Sequence, residues 1–250
     1  MSVAVFIPSY NCEEQIVRVL EQIKQTDLPI YFIDNSSKDS GAMLIRDFCH
    51  ERPKCKLILH SENYGLGGSF KTAIEIANKY NHDWIIWFHG DDQATLKDCL
   101  PLVDGLSSLP QVDAYLGARF MPSSRRLNYS RLREFGNRFF NLLCSLVVRR
   151  RVYDIGSGLN IYRTSSLNRL RVEEWPNHIA FDMNLLFHYV SSSRHLFFPI
   201  SWREVDQVSN AKNFAVGVDV LKSIIVWIMR KELIFESSDD PSKRVYSVEP

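Results

Sequence analysis

Three short polar clusters hold the residues best suited to chemistry. Asp91 and Asp92 are adjacent carboxylates after the apolar run Trp84–Phe88, and Gln93 adds an amide oxygen. Hard divalent cations such as Mg2+ or Mn2+ take oxygen ligands, often one or two carboxylates together with substrate phosphates. A cation held there would bridge a diphosphate and offset negative charge growing on a leaving group. The same carboxylates would equally serve to cap backbone N–H groups ahead of Leu96. Asp34 closes the run Ile30–Ile33 and opens Asp34-Asn-Ser-Ser. It can accept hydrogen bonds from a base or ribose, or form an Asx turn. Ser9-Tyr-Asn follows Val3–Ile7 and Pro8. Asp154, ahead of Ile155-Gly-Ser-Gly, can act as a base or orient an acceptor if it faces the same crevice; a turn aspartate is the equal alternative. The seven His are spread without ligand spacing, and only His89 stands beside the metal-type segment.

The elements that must position these residues alternate. Val3–Ile7, Ile30–Ile33, Lys56–Leu59 and Trp84–Phe88 read as buried strands. Ile16, Val19, Leu20 and Ile23 mark a first helix, with Asn11 as its cap and Glu14 as a near capping box. Leu44, Ile45, Phe48 and Cys49 mark a second, and Phe70, Ala73, Ile74 and Ala77 a third. Strand and helix in alternation argue for an α/β, mostly parallel, doubly wound sheet. Ligands of such sheets bind beyond the strand carboxyl ends, where all three polar clusters lie. The glycines at 65, 67 and 68 match neither a P-loop nor a Gly-x-Gly-x-x-Gly turn, and read as a tight turn. In the second half, Ala114–Ala118, Gly158–Tyr162 and Leu196–Ile200 read as strands and Phe181–Val190 as a helix. Leu132, Phe135, Phe139, Leu142, Leu143 and Leu146 make a long amphipathic helix. The chain divides as one domain over 1–235, with a nucleotide half to about 120 and an acceptor half from 121, and a polar, unstructured tail over 236–250.

Composition sets the surroundings. The 250 residues carry a formal net charge of +1, which points to no nucleic acid or other polyanion. From Arg125 to Arg151, however, eight Arg stand against one acid, a local charge of +7. Such a cluster can face phosphates or an anionic lipid surface, or be a solvated helix face. Five scattered Cys with no Cys-x-x-Cys pair suggest free thiols in a reducing cytoplasm rather than a disulfide framework or zinc site. Neither a signal peptide nor a membrane-spanning run is expected; Phe214–Met229, interrupted by Asp219 and Lys222, reads as an amphipathic helix.

Taken in order, these stretches resemble family 2 glycosyltransferases, whose fold is called GT-A. Val3-Ala-Val-Phe-Ile-Pro-Ser-Tyr-Asn resembles the family's opening. Phe32-Ile-Asp-Asn-Ser-Ser-Lys-Asp, Asn63-Tyr-Gly-Leu-Gly-Gly, His89-Gly-Asp-Asp-Gln and Asp154-Ile-Gly-Ser-Gly-Leu resemble its later motifs. Dolichyl- and polyprenyl-phosphate sugar transferases and bacterial polysaccharide enzymes look most similar. The resemblance implies that Pro8, Tyr10, Asn11 and Asp34 line the nucleotide pocket. It implies that Asp91 holds a divalent cation, with Gln93 and Asp92 assisting, that Arg119 sits near phosphate, and that Asp154 lies near the acceptor. Arg203, followed by Ser209-Asn-Ala-Lys212, resembles a mobile acceptor loop. His89 replaces the usual first aspartate of the metal segment, and Cys12 replaces a usual glutamate.

The function so implied is inverting transfer of a sugar from a nucleotide-diphosphate sugar to a lipid-phosphate or glycan acceptor. It would take place in the cytoplasm, with peripheral membrane contact through Arg125–Arg151. Two rivals stand beside it. A sugar-phosphate nucleotidyltransferase would need a basic Gly-rich loop after the first strand, which Ser9-Tyr-Asn-Cys does not offer. A catalytically degenerate nucleotide-sugar scaffold is motivated by His89 and Cys12.

Overall fold

The computed structural model describes residues 1–106, 108–178, 180–204, 210–230 and 244–250. The first half runs β1 (Val3–Ser9), α1 (Glu13–Ile23), β2 (Ile30–Asp34), α2 (Gly41–His50), β3 (Cys55–His60), α3 (Gly65–Lys79) and β4 (Trp84–Phe88). Then come α4 (Leu100–Val103), β5 (Ala114–Ala118), β6 (Arg125–Leu127), α5 (Arg131–Val148), β7 (Leu159–Arg163), α6 (Thr164–Leu167), α7 (Ala180–Ser191), β8 (His195–Pro199), β9 (Ser201–Arg203), α8 (Asn210–Arg230) and β10 (Tyr246–Glu249). Eight strands form one sheet in the order β10-β3-β2-β1-β4-β7-β5-β8, and β6 pairs with β9 in a small parallel ribbon. The pairs β3/β2, β2/β1, β1/β4 and β5/β8 are parallel. Strand β7 is antiparallel to both β4 and β5. The expected α/β, mostly parallel sheet is therefore present.

Successive side chains on a strand point to opposite faces, and both faces here are covered. Along β1, Ala4 and Phe6 enter one apolar cluster while Val3, Val5 and Ile7 enter the other. Along β4, Ile85 and Trp87 join the first cluster, and Trp84, Ile86 and Phe88 the second. Helix α1 buries Ile16, Val19, Leu20 and Ile23, the four positions marked by their spacing. Its start differs from the sequence reading. Asn11 adopts φ 47° and accepts the Lys38 N–H at 2.8 Å, so its amide ties β1 to the β2 exit instead of capping α1.

The C-terminal segment also differs. Residues 236–243 of the expected tail lie outside the described residues, but Tyr246–Glu249 is an edge strand antiparallel to β3. Arg244, nearly closed to solvent, makes ion pairs with Glu75 and Glu173, and the Tyr246 hydroxyl donates to Glu75 at 3.0 Å. These buried polar contacts were invisible in a segment whose composition alone reads as solvated.

The glycines at 65, 67 and 68 serve packing. A Cβ at Gly67 would lie 2.8 Å from the Asn177 Cα and 3.0 Å from the Phe181 ring, and Gly65 holds φ +71° against the Asn177 carbonyl. The Gly67 N–H donates to that carbonyl at 2.9 Å. Gly67→Ala should destabilise the fold by about 1–3 kcal/mol through overpacking against backbone, a loss that urea unfolding with an unchanged m-value would measure.

Candidate functional site

The topology places the site. Strands β1 and β4 are neighbours, yet the chain leaves them in different directions, with β2 and β3 lying beyond β1 and β7 beyond β4. Such a switch point opens a crevice at the strand carboxyl ends. A cleft of about 310 Å3 lies there, lined by Pro8, Ser9, Tyr10 and Cys12 from β1, His89, Gly90 and Asp91 from β4, and Asn35, Asn63 and Ser69 among others from the flanking turns. Gly90 closes the seam: its N–H donates to the Pro8 carbonyl at 3.0 Å, and a Cβ there would stand 2.8 Å from that oxygen.

Of the residues expected to bind nucleotide, Pro8 and Tyr10 line the cleft. Asn11 and Asp34 are not among its lining residues. Asp34 accepts the Ser37 N–H at 2.9 Å and the Ser37 hydroxyl, an Asx-type turn. The loops after β1 and β2 brace one another: Asp39 accepts the Glu13 N–H at 3.0 Å, and Glu13 accepts the Ser40 N–H at 2.8 Å. Ser9 and Asn35 belong to the polar clusters expected at the crevice, though with no role assigned, and Ser69 was missed by sequence reasoning. Asn35 is buried, and its Oδ1 accepts the Tyr64 N–H and meets the His60 Nδ1, both at 2.9 Å. The hydroxyls of Ser9 and Ser69 are buried at the cleft wall with no protein partner among the described residues. Ser69 lies within α3, where a small polar residue carries no spacing signal that would have marked it.

The metal segment splits in two. Asp92 has φ 57°, a left-handed conformation that reverses the direction of its side chain relative to Asp91. Asp91 is exposed at the cleft, and its Oδ1 accepts the Gln93 N–H at 3.2 Å. Asp92 is buried, accepting Arg18 Nε at 2.6 Å and Gln22 Nε2 at 2.8 Å and pairing with the Arg203 guanidinium. Arg203 Nε also donates to the Asp92 carbonyl at 2.9 Å. Asp92, expected to assist a metal, and Arg203, expected to meet an acceptor, are placed in one mutual ion pair. Gln93 is engaged through its backbone, its carbonyl accepting the Arg203 N–H at 2.8 Å. Ser209 lies outside the described residues, and Asn210–Lys212 begin α8.

Among the described residues no three His, Cys, Asp or Glu cluster to hold a cation. A site with one free carboxylate still fits Mg2+ or Mn2+, which take much of their shell from phosphates and water. Asp91 would hold such an ion, and the ion would supply charge neutralisation at a diphosphate.

Arg119 and Asp154 are brought together. They form a bidentate pair at 2.7 Å with side chains 7% and 0% exposed. Asp154 also accepts the Arg119 N–H at 2.8 Å and the Gly156 N–H at 3.1 Å. Burial lowers the Arg119 pKa, but Asp154 outweighs it and raises the guanidinium further above its ordinary range. Asp154 thus receives four donors, two from the Arg119 side chain and two from backbone N–H groups. A second carboxylate, Asp182, near the start of α7, lines the same small cavity as Asp154, with Gly117, Ser157 and Asn160, and burial raises its carboxyl pKa while the nearby His89 lowers it. His89 itself lines the cleft, its N–H donating to the Gly158 carbonyl at 2.8 Å and its ring edge-on to Trp87.

The profile of glycosyl transferase family 2 matches residues 4–171. A dolichyl-phosphate beta-glucosyltransferase of Dictyostelium discoideum is 24% identical over 89% of this chain and 72% of its own length. A UDP-N-acetylglucosamine–dolichyl-phosphate N-acetylglucosaminyltransferase of Methanococcus voltae is 23% identical over 66% of this chain and 70% of its own. Among solved structures, glucosyl-3-phosphoglycerate synthase of Mycobacterium tuberculosis, in complex with Mn2+, UDP-glucose and phosphoglyceric acid, superposes with a TM-score of 0.68 at 14% identity, over 91% of this chain and 80% of that one. That likeness shows a shared GT-A fold.

Two predictions separate structure from site. Asp92→Ala leaves Arg18 and Arg203 without their carboxylate and should cost about 3–5 kcal/mol of stability. Asp91→Ala should stay within about 0.5 kcal/mol, as an exposed surface change does; chemical denaturation of both variants decides it. The second concerns pH. Burial, with a smaller contribution from the Arg244 charge, lowers the His60 pKa from 6.5 to about 4. The unfolded chain therefore binds the proton first on acidification, so stability falls as pH drops from about 6.5 toward 4. His60→Gln should remove about 2 kcal/mol of the loss between pH 7.5 and 5, measured as the difference in pH slope between the two proteins.

Proposed function

We propose, from the premise that the chain belongs to glycosyl transferase family 2, that it transfers a sugar from a nucleotide-diphosphate sugar with inversion at the anomeric carbon. The observation that carries this reading is the convergence of Pro8-Ser9-Tyr10 and His89-Gly90-Asp91 in one cleft at the β1/β4 switch point. Ser9 and Ser69 offer it hydrogen-bonding groups for a ribose or base, and Tyr10 offers a half-exposed ring for stacking.

In this reading the acceptor oxygen attacks the anomeric carbon from the face opposite the diphosphate. The bond from that carbon to the diphosphate oxygen breaks, and the nucleoside diphosphate leaves with the electron pair. Asp91 is the residue that would hold a divalent cation at the diphosphate. A hydroxyl acceptor must lose its proton, and Asp182 is the base this placement favours, because burial raises its affinity for one. A lipid phosphate acceptor is already ionised and needs no base. The two dolichyl-phosphate relatives support a lipid-phosphate acceptor. The Arg-rich stretch 125–151 is consistent with contact at the cytoplasmic face of a membrane. Arg119 and Asp154 then hold the floor of the acceptor half, through stacking of the Arg119 guanidinium 4.8 Å over the Trp202 ring.

The test is a thermal-shift panel of UDP, GDP, dTDP and CDP with and without Mn2+ or Mg2+. Binding to the folded state raises the melting temperature by mass action. One nucleotide should give a metal-dependent shift that disappears in Asp91→Ala. No shift with any nucleotide would favour the degenerate scaffold.

A further inference from the structure

Helix α5 is amphipathic, but it is turned outward. Its packed side is Asn141, Cys144 and Val148. Its apolar stripe faces solvent: Leu132 is 76% exposed, Phe135 72%, Leu142 56% and Leu146 66%, with Phe139 beside them. Positions 132, 135, 139, 142 and 146 lie on one helix face. Helix α8 packs on α5 where Gly217 meets the Phe140 ring, and it too exposes apolar side chains at Leu221, Ile225, Ile228 and Met229. Contiguous exposed apolar surface of this kind marks a docking site. No helix among the described residues is long and apolar enough to cross a membrane.

We infer that the apolar faces of α5 and α8 lie in the headgroup region of an anionic bilayer. Charge selects this occupant over a second copy of the chain. Arg125, Arg131, Arg149, Arg150 and Arg151 bracket the stripe, are exposed and have no carboxylate partner among the described residues. Two copies meeting face to face would bring two such clusters together, whereas anionic headgroups neutralise them. Apolar side chains on one helix face flanked by arginine are what an in-plane interfacial helix requires. The inference deepens the proposed function, since a docked α5 would set the acceptor half against a surface carrying lipid phosphates. It is nevertheless tested without any donor.

The experiment is flotation of the full chain with vesicles of phosphatidylcholine, with and without phosphatidylglycerol. The protein should float with the anionic vesicles and not with the neutral ones. The triple variant Phe135→Ser, Leu142→Ser, Leu146→Ser should lose binding by at least about tenfold while keeping its melting temperature, because these side chains are exposed. Arg131→Ala with Arg149→Ala and Arg150→Ala should weaken binding to anionic vesicles in a salt-dependent way. Absence of wild-type binding, or full binding by the triple serine variant, overturns the inference. So does a stable dimer in solution that the serine variant dissociates, with no vesicle binding. The nucleotide panel reads the cleft separately, so loss of one result leaves the other standing.

Discussion

The buried carboxylate of Asp92 is the interaction on which the site rests. It receives a guanidinium from α1, an amide from α1 and a second guanidinium from β9, and it sits on a left-handed turn at the exit of β4. A carboxylate taken out of water is costly unless it is paired and hydrogen-bonded. Once Asp92 is so held, the turn can take only one path, and that path puts Asp91 on the opposite side, facing the cleft. The β6/β9 ribbon is drawn in by the same contact, through the Arg203 bonds to Asp92 and Gln93 and the bridge between Ala94 and Trp202. The exit of β4, helix α1 and the β6/β9 ribbon are thus joined at one residue.

Buried ion pairs recur through the second half of the chain. Asp113 pairs with Arg163, Arg169 and Arg194; burial raises its pKa, but the three guanidiniums hold the carboxyl below its usual range. Glu204 pairs with Arg133, and Asp154 with Arg119. The local excess of arginine is therefore of two kinds. Some guanidiniums are internal struts that meet single acids contributed from distant parts of the chain, and others remain at the surface without acidic partners. A charge count cannot sort the two, because the acids that neutralise Arg119 and Arg133 lie 35 and 71 positions away.

The parallel half was legible because its signals are local. Short runs of four or five residues between helical periodicities dictate the strands, and the position of polar clusters at strand ends dictates where a ligand goes. Trp84–Phe88 and Ala114–Ala118 have the same bounds in the structure as in the sequence reading. What was not legible depends on direction or on distant partners. Asp91-Asp92 reads as one unit, yet a single positive φ makes one a candidate ligand and the other a strut. Asp154 reads equally as a base or a turn aspartate because nothing nearby reveals Arg119. Asp182 reads as one more helix residue because its burial beside His89 depends on tertiary packing. Tyr246–Glu249 reads as tail because an edge strand draws its stability from the strand it joins.

Helix α5 shows the same limit from the other side. The periodicity of Leu132, Phe135, Phe139, Leu142 and Leu146 identifies an amphipathic helix correctly, and the ordinary expectation is that such a stripe faces the core. Here Asn141 donates to the Tyr153 carbonyl at 2.7 Å and Ser145 to the Asn141 carbonyl at 2.6 Å, so the packed side carries polar contacts. Cys144 and Val148 complete the apolar contact with the body. The helix thus docks through a narrow, mixed face and leaves its richer apolar face outside. The exposed stripe is consistent with an environment less polar than bulk water, and the arginines around it point to a negatively charged one.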